Sequence, residues 1–422
     1  MSNFDLAARF FLQLVIILTT CHGVSVLTRR LRQPHVVSEM IAGVILGPSV
    51  FGLLFPDAQE YFFPAESKPV LYVISHLGIV LYMFLVGLEF RTDLFRSCLL
   101  GATVVSIAGM VLPFVLGVLI ALWLMQSPGE FFPTPVTPLQ GSLFLGAAMC
   151  ITAFPTLARI ISERGLGGTS LGTLTLAAGA MADAGAWCLL AVVISSFESN
   201  ANLAIMAIGG GAAYAVLTLT VGRHWLCSLE QISERQGKVT PVVMSFVILL
   251  LMCSSWLTDA IGIYSIFGAF ILGCAMPRPL FARELVSQLG PLTSGVLVPL
   301  FFVYSGLNTQ LGSLNTPSLW GVAVIVLAVS CFGKGFGCWS AARIIGEDQR
   351  SSLGIGILMN ARGLMELIIL NIGLDRDLIT PSLFSIMVVM AIVTTLMTTP
   401  LLELIRCGRF CRYEIPVVPP AR

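Results

Sequence analysis

Charge is what this chain has least of. Of its 422 residues only 11% are Asp, Glu, Lys or Arg, against about 25% in an ordinary globular domain. The formal net charge of +1 says nothing about nucleic acid, but no basic patch of the kind such a partner requires is present, so none is expected. Cysteine and histidine are present but unorganised. The cysteines, Cys21, Cys98, Cys150, Cys188, Cys227, Cys253, Cys274, Cys331, Cys338, Cys407 and Cys411, form no CxxC pair, which argues against a disulfide or metal framework. His22, His35, His76 and His224 lie far apart, so no zinc-ligand spacing exists. The reading therefore carries no catalytic constellation, no cofactor and no resident metal.

What the chain has in excess is apolar sequence, 56% of all residues. Many windows exceed the roughly 18 apolar residues that signal a spanning helix, so the partner they imply is a lipid bilayer. Runs separated by Pro, Gly or charge give thirteen segments, centred near residues 17, 45, 80, 111, 151, 184, 211, 248, 268, 298, 328, 362 and 391. The expected fold is an all-α polytopic membrane protein. The first run, Leu6 to Leu27, lacks a basic leader and a small-residue cleavage site, and is read as a retained helix.

Basic residues orient these segments. Of 23 Lys and Arg, only Arg9, Lys68 and Arg376 fall on one side, while Lys334 and Arg362 lie inside apolar runs. The others, Arg29, Arg30, Arg32, Arg91, Arg96, Arg159, Arg164, Arg223, Arg235, Lys238, Arg278, Arg283, Arg343, Arg350, Arg406, Arg409, Arg412 and Arg422, follow odd-numbered segments. The positive-inside rule then places the N-terminus outside and the C-terminus in the cytoplasm.

Two stretches repeat. Met40-Ile-Ala-Gly-Val-Ile-Leu-Gly47 matches Ile266-Phe-Gly-Ala-Phe-Ile-Leu-Gly273, and each precedes a run ending in Phe84-Leu-Val-Gly87-Leu88-Glu89 or Phe302-Val-Tyr-Ser-Gly306-Leu307-Asn308. Residues 1–200 (segments 1–6) would then correspond to 239–410 (segments 8–13) across a linker segment at 201–225. An odd linker makes the halves run oppositely, the inverted-repeat plan of secondary transporters.

The chemistry lies where charge is least affordable. Asp183 stands alone within the apolar run from Leu174 to Ile194, where a mid-membrane carboxylate costs about 2.5–3.5 kcal/mol and usually faces a wet cavity or a partner. Segment 5 contains Cys150-Ile-Thr152-Ala-Phe-Pro155-Thr156, and its repeat partner, segment 12, contains Met359-Asn360-Ala-Arg362-Gly363-Leu-Met-Glu366. Proline and glycine there suit discontinuous helices whose exposed ends coordinate an ion. Asp183 can bind a proton, or release it and bind Na⁺ or K⁺ with oxygens such as that of Thr152. It cannot hold both, and mutual exclusion is sufficient for exchange. Lys334, among glycines, acts either as a static counter-ion to Asp183 or Glu366 or as a proton carrier. Arg362 stays charged and is placed to offset a negative half-helix end or to pair with Glu366 four residues on. Glu39, Glu89, Asp93 and Asp259 sit near segment ends and are read as interfacial.

Ile151-Thr-Ala-Phe-Pro-Thr-Leu-Ala-Arg-Ile160 followed by Ala182-Asp183-Ala-Gly-Ala-Trp187 resembles the monovalent cation:proton antiporter superfamily. The resemblance is to the branch of plant cation/H⁺ exchangers and bacterial Kef-type potassium efflux proteins. Gly43-Val-Ile-Leu-Gly-Pro-Ser49, Phe84 to Glu89, Pro299 to Leu307 and Gly363-Leu-Met-Glu-Leu-Ile-Ile369 extend it along nearly the whole chain. It implies a thirteen-helix antiporter with crossed broken helices in segments 5 and 12, an elevator-like core and a homodimer in a bacterial inner or plasma membrane. Asp183 would carry cation or proton, and Lys334 would neutralise the core. The departure is Ala182, where relatives usually carry a polar or acidic residue; one carboxylate implies 1:1 electroneutral exchange if Lys334 keeps its proton. A cytoplasmic regulatory domain, common in that branch, is not expected in residues 1–422. The alternative on the same scaffold is a channel-like K⁺ pathway or an ion-coupled carrier for an organic solute.

Overall fold

Long apolar stretches bounded by proline, glycine or charge become helices because, in hydrocarbon, each backbone amide must find its partner within its own segment. The computed structural model describes residues 3–30, 33, 35–89, 95–127, 129–166, 169–197, 201–228, 239–262, 264–277, 280–309 and 314–407. Within these, all regular structure is helical. The first half comprises α1 (Asn3–Arg30), α2 (His35–Leu46), the short α3 (Phe51–Leu54) and α4 (Pro56–Phe62), α5 (Lys68–Glu89), α6 (Phe95–Leu124), α7 (Pro138–Cys150), α8 (Phe154–Glu163) and α9 (Ser170–Phe197). Then follow α10 (Ala201–Leu217), which runs into a π turn at Thr218–Gly222, α11 (Pro241–Ile261) and α12 (Ser265–Ala275). The chain continues through α13 (Leu280–Leu292), a π turn at Thr293–Leu297, α14 (Val298–Leu307), α15 (Pro317–Ile344), α16 (Gln349–Leu358), α17 (Leu364–Asp375) and α18 (Pro381–Cys407).

Among the described residues nine helices are long and apolar enough to cross a membrane. The other expected crossings fall on α10, on the short α12, and on two interrupted pairs, α7/α8 and α16/α17. Segments 5 and 12 are thus discontinuous, as expected. Asp93 and the basic residues Arg32, Arg91, Arg235, Lys238, Arg278, Arg409, Arg412 and Arg422 lie outside the described residues.

The described surface is rich in large apolar side chains, while a few polar and charged groups are buried within an otherwise apolar interior. Phe11, Val15, Val242, Trp256, Val324 and Phe332 are exposed, whereas Gln13, Thr152, Asp183, Lys334, Arg362 and Glu366 are buried. In water such a surface would aggregate; against lipid tails it is the matching surface.

Close backbone approach fixes how α2, α5, α12 and α14 pack. A Cβ on Gly47 would lie 3.1 Å from the carbonyl carbon of Gly306, and one on Gly87 would lie 3.0 Å from the Cα of Gly273. Hence α2 crosses α14 and α12 crosses α5 at glycine pairs. A separate apolar cluster, including Ala102, Val105, Leu157, Ala178, Ala182, Cys338 and Ile355, joins α6, α8, α9, α15 and α16. It holds one half of each interrupted helix, α8 and α16, while α7 and α17 pack in the larger cluster.

Candidate functional site

Each interruption is made by three to five residues that leave helical geometry. Ile151, at the C-terminus of α7, turns at once to extended backbone (φ −69°, ψ 142°), so residues 151–153 run straight into α8. Pro155 falls in the first turn of α8, where its missing N–H costs nothing; it starts a helix and does not kink one. In the second interruption Gly363 has φ 156° and ψ −121°, a conformation essentially reserved for glycine. The two breaks touch directly, Ala153 N donating to Ala361 O at 3.2 Å.

The last four carbonyls of a helix have no partner within it, and in a membrane each needs one. At the end of α7 one partner is local and the other three come from far away. Cys150 Sγ donates to Ala147 O at 3.2 Å. Arg362 reaches Ala148 O through Nη1 at 3.2 Å and Met149 O through Nη2 at 2.7 Å. Lys334 Nζ donates to Cys150 O. Two fully buried cations thus sit on the negative end of a helix dipole, the sign that stabilises both.

Arg362 is held from several further sides. Nη1 donates to Glu366 Oε1 at 3.1 Å, forming a buried ion pair, and Nη2 donates to Ser330 Oγ. Thr395 Oγ1 on α18 accepts from Arg362 N at 3.0 Å and donates to Arg362 O at 2.8 Å. Both expected roles of Arg362, on a half-helix end and beside Glu366, are present together. Glu366 occupies the first turn of α17, where the helix dipole favours an acid.

Asp183 lies mid-way along α9, only 2% exposed, and its Oδ1 has no hydrogen-bond partner. Gly179 positions it. A Cβ there would lie 2.5 Å from Leu157 Cδ2 on α8, so α9 presses on α8 at Gly179, and Asp183, one turn on, shares that face. The hydroxyls of Thr152, in the break, and Thr156, in α8, are buried and equally without partners. Lys334 acts electrostatically on Asp183, yet among the described residues no ion pair joins them within 4 Å. The ammonium goes to Cys150 O instead.

Lys334 comes this close because α15 is thin on two sides. A Cβ on Gly337 would meet Ala108 O of α6 at 2.8 Å, and one on Gly356 of α16 would meet Gly335 O at 2.6 Å. Ala182 is fully buried in the apolar cluster with Leu157, Val105 and Cys338. It offers Lys334 no partner. Asn360 Nδ2 donates to Gly356 O at 3.0 Å and to Cys331 O at 3.4 Å.

Sequence reading singled out neither Ser330 nor Thr395, and it missed Thr156. Thr395 and Thr399 repeat at a helical interval inside an apolar run, as do Thr394 and Thr398. Such doubled hydroxyls on one face are a legible sign of a polar neighbour.

Comparison with known proteins identifies the family. The family model described as "Sodium/hydrogen exchanger, transmembrane" matches residues 15–404. The Na⁺/H⁺ antiporter NhaS4 of Synechocystis sp. is 40% identical over 92% of this chain and 95% of its own length. Cation/H⁺ antiporter 18 of Arabidopsis thaliana is 36% identical over 92% of this chain, and K⁺/H⁺ antiporter 1 of Saccharomyces cerevisiae 32% over 94%. The chain spans about half the length of those two, 48% and 46%. The structure of the sodium proton antiporter MjNhaP1 from Methanocaldococcus jannaschii superposes with a TM-score of 0.69, covering 96% of this chain and 100% of that one, at 17% identity. Since the matched region contains both interruptions and every buried charge named above, the chain belongs to the sodium/hydrogen exchanger transmembrane family.

Proposed function

We propose that this chain is a secondary antiporter exchanging a monovalent cation, Na⁺ or K⁺, for H⁺ by alternating access, with Asp183 as the carboxylate that both ions share. One observation carries the assignment of the site: Asp183 Oδ1 is buried and has no hydrogen-bond partner, on a helix that packs against α8 at Gly179. An ionised carboxylate left so is costly. A proton removes the charge; an alkali cation, completed by the Thr152 hydroxyl and carbonyls of the break, balances it. Either occupant excludes the other.

The remaining buried charges support this division of labour. Arg362 and Glu366 neutralise each other, and Lys334 is engaged by the end of α7. Among the buried charges of the described residues, Asp183 is the one left to balance a moving ion. One exchangeable carboxylate gives 1:1 electroneutral exchange provided that Lys334 keeps its proton. The names of the relatives include Na⁺/H⁺ and K⁺/H⁺ antiporters, which supports an alkali cation as the substrate class.

An inverted repeat, 1–200 against 239–410 across a linker at 201–225, belongs to the same reading. It is supported by the glycine crossings, because Gly47 with Gly306 and Gly273 with Gly87 are repeat-equivalent pairs in opposite order. The orientation, N-terminus outside and C-terminus cytoplasmic, rests on the basic-residue asymmetry, and a homodimer on the family resemblance.

The test is exchange in liposomes with a lumenal pH dye and an imposed pH gradient. Na⁺, K⁺, Li⁺ or choline is added, with membrane potential clamped or free. Alkali-cation-dependent dissipation, indifferent to the clamp and lost in Asp183→Asn, is the expected result. A folded Asp183→Asn protein that still exchanges would remove Asp183 from the mechanism, and a folded wild type indifferent to every alkali cation would remove the antiport.

A further inference from the structure

The helices around the charged cap do not fill the space between them. α15 and α16 meet at glycine, where a Cβ on Gly356 would lie 2.6 Å from Gly335 O and 3.3 Å from Trp339 Cβ. Beside that contact, between α15, α16 and α18, lies a cavity of about 230 Å³ lined by Trp339, Leu353, Ile357, Asn360, Met397 and Leu401, among others. It has room for much more than one water, whose share of liquid volume is about 30 Å³. Leu353, Met397 and Leu401 are also exposed on the outer surface. So are Phe332 and Phe336, whose rings stack at 5.2 Å and continue to Trp339 at 5.4 Å. The mouth therefore opens among lipid-facing side chains. In the orientation proposed above it lies in the cytoplasmic half, where α15 ends and α16 begins.

The lining decides what could enter. None of its side chains carries a charge, so neither a cation nor a phosphate would find a counter-ion there. Two of its polar atoms, Trp339 Nε1 and Asn360 Oδ1, are buried and have no hydrogen-bond partner. An indole N–H can only donate. Asn360 Nδ2 already donates to Gly356 O and Cys331 O, which settles the end of the amide that is oxygen, and that end can only accept. Thr394 and Thr398 also line the cavity. Their hydroxyls donate to Ala391 O at 3.1 Å and Thr394 O at 2.9 Å, leaving lone pairs that can accept. Unpaired polar atoms at this depth are costly. A neutral group that both donates and accepts, a hydroxyl, answers the pair, and Leu353, Ile357, Met397 and Leu401 call for hydrocarbon.

We propose that this cavity is a binding site for a neutral, hydroxyl-bearing amphiphile taken from the bilayer. Its hydroxyl sits by Trp339 and Asn360, and its chain leaves along Leu353, Ile357, Met397 and Leu401. Such a ligand touches each helix that supports the charged cap. α15 carries Lys334, Asn360 stands two residues before Arg362, and Thr394 on α18 adjoins Thr395, which holds the Arg362 backbone. A ligand bound across the three helices favours the packing seen here.

Binding is tested apart from transport, in phosphatidylcholine nanodiscs, with a long-chain alcohol carrying a diazirine. Saturable photolabelling of α16 and of the Thr394–Leu401 stretch is expected. The unlabelled alcohol should compete better than its methyl ether, which accepts but cannot donate, and the ether better than the alkane. Trp339→Phe keeps a ring and removes the donor; it should weaken labelling roughly two- to tenfold and erase the ether's advantage over the alkane. Leu401→Trp, which fills the mouth, should abolish saturable labelling with the thermal midpoint of the probe-free protein unchanged, and it serves alone if Trp339→Phe does not fold. Equal competition by alkane and alcohol would mean a groove for any chain, without recognition of a hydroxyl, and overturns the proposal. Labelling spread evenly over the lipid-facing helices, labelling that survives Leu401→Trp, or a folded Trp339→Phe protein labelled like the wild type does the same.

Discussion

The two interrupted helices are equivalent in topology and opposite in chemistry. At the end of α16 the final carbonyls are closed by the next three residues: Met359 N donates to Ile355 O, Asn360 N to Ile357 O and Ala361 N to Leu358 O, while Asn360 Nδ2 takes Gly356 O. That cap is local and neutral. At the end of α7 the chain runs extended, local amides are out of reach, and the carbonyls take Arg362 and Lys334. The first break therefore concentrates positive charge, supplied by Arg362 of the second break and by Lys334 of α15. Only one of the two breaks is thus capped by charge, and α9, which carries Asp183, packs at Gly179 on α8 just beyond that break.

Removing the charged cap should have the larger effect. Arg362→Met leaves the Ala148 and Met149 carbonyls, Ser330 and Glu366 without partners at once. Breaking a buried pair from one side costs about 3–5 kcal/mol, read as a fall in unfolding midpoint in detergent. Arg362→Met/Glu366→Gln should recover part of that loss, because the stranded carboxylate goes with its partner. A double variant no better than the single would mean that the carbonyls, not Glu366, dominate.

The neutral cap should matter less. Asn360→Ala removes the donor to Gly356 O and Cys331 O, and leaving a buried carbonyl unpaired costs about 1–3 kcal/mol. The three backbone bonds closing α16 remain. If the unfolding midpoint falls as far in Asn360→Ala as in Arg362→Met, the contrast between a local and a long-range cap is wrong.

This contrast also marks what could be read in advance. Thirteen apolar segments, the breaks at Pro155 and Gly363 and the isolation of Asp183, Lys334 and Arg362 were legible because each is a local violation: a helix breaker or a charge in an apolar run. The Arg362–Glu366 pair was legible from its four-residue spacing. The destination of Lys334 was not. Its acceptor is a backbone carbonyl at Cys150, which carries no side-chain signature, and the competing expectation, a carboxylate partner, is the commoner one for a buried ammonium. Ser330 escaped because a lone hydroxyl is ordinary in apolar sequence; Thr395 is signalled only by the doubled threonines of its run.

The outer ends of the same half-helices sharpen the comparison with the smallest effect. There both caps are local. Thr137 and Gln140 form a capping box at α7, and Asp348 accepts from Arg350 N and Ser351 N at α16. Either cap replaced by alanine should cost about 1 kcal/mol, but only one should depend on pH. The Ser351 hydroxyl, with the backbone amides behind it, holds the Asp348 carboxyl below the usual aspartate range, against a smaller opposing effect of burial. Since the folded value lies below the unfolded one, the stabilisation is fully present above the ordinary aspartate range near about 3.9 and is lost as pH falls through the folded value. The midpoint gap between wild type and Asp348→Ala should therefore hold steady near neutrality and close in acid, while the Thr137→Ala gap stays open. Both gaps closing together would place the acid sensitivity in the shared core, where Glu366 and Asp183 are buried, and not in the cap of α16.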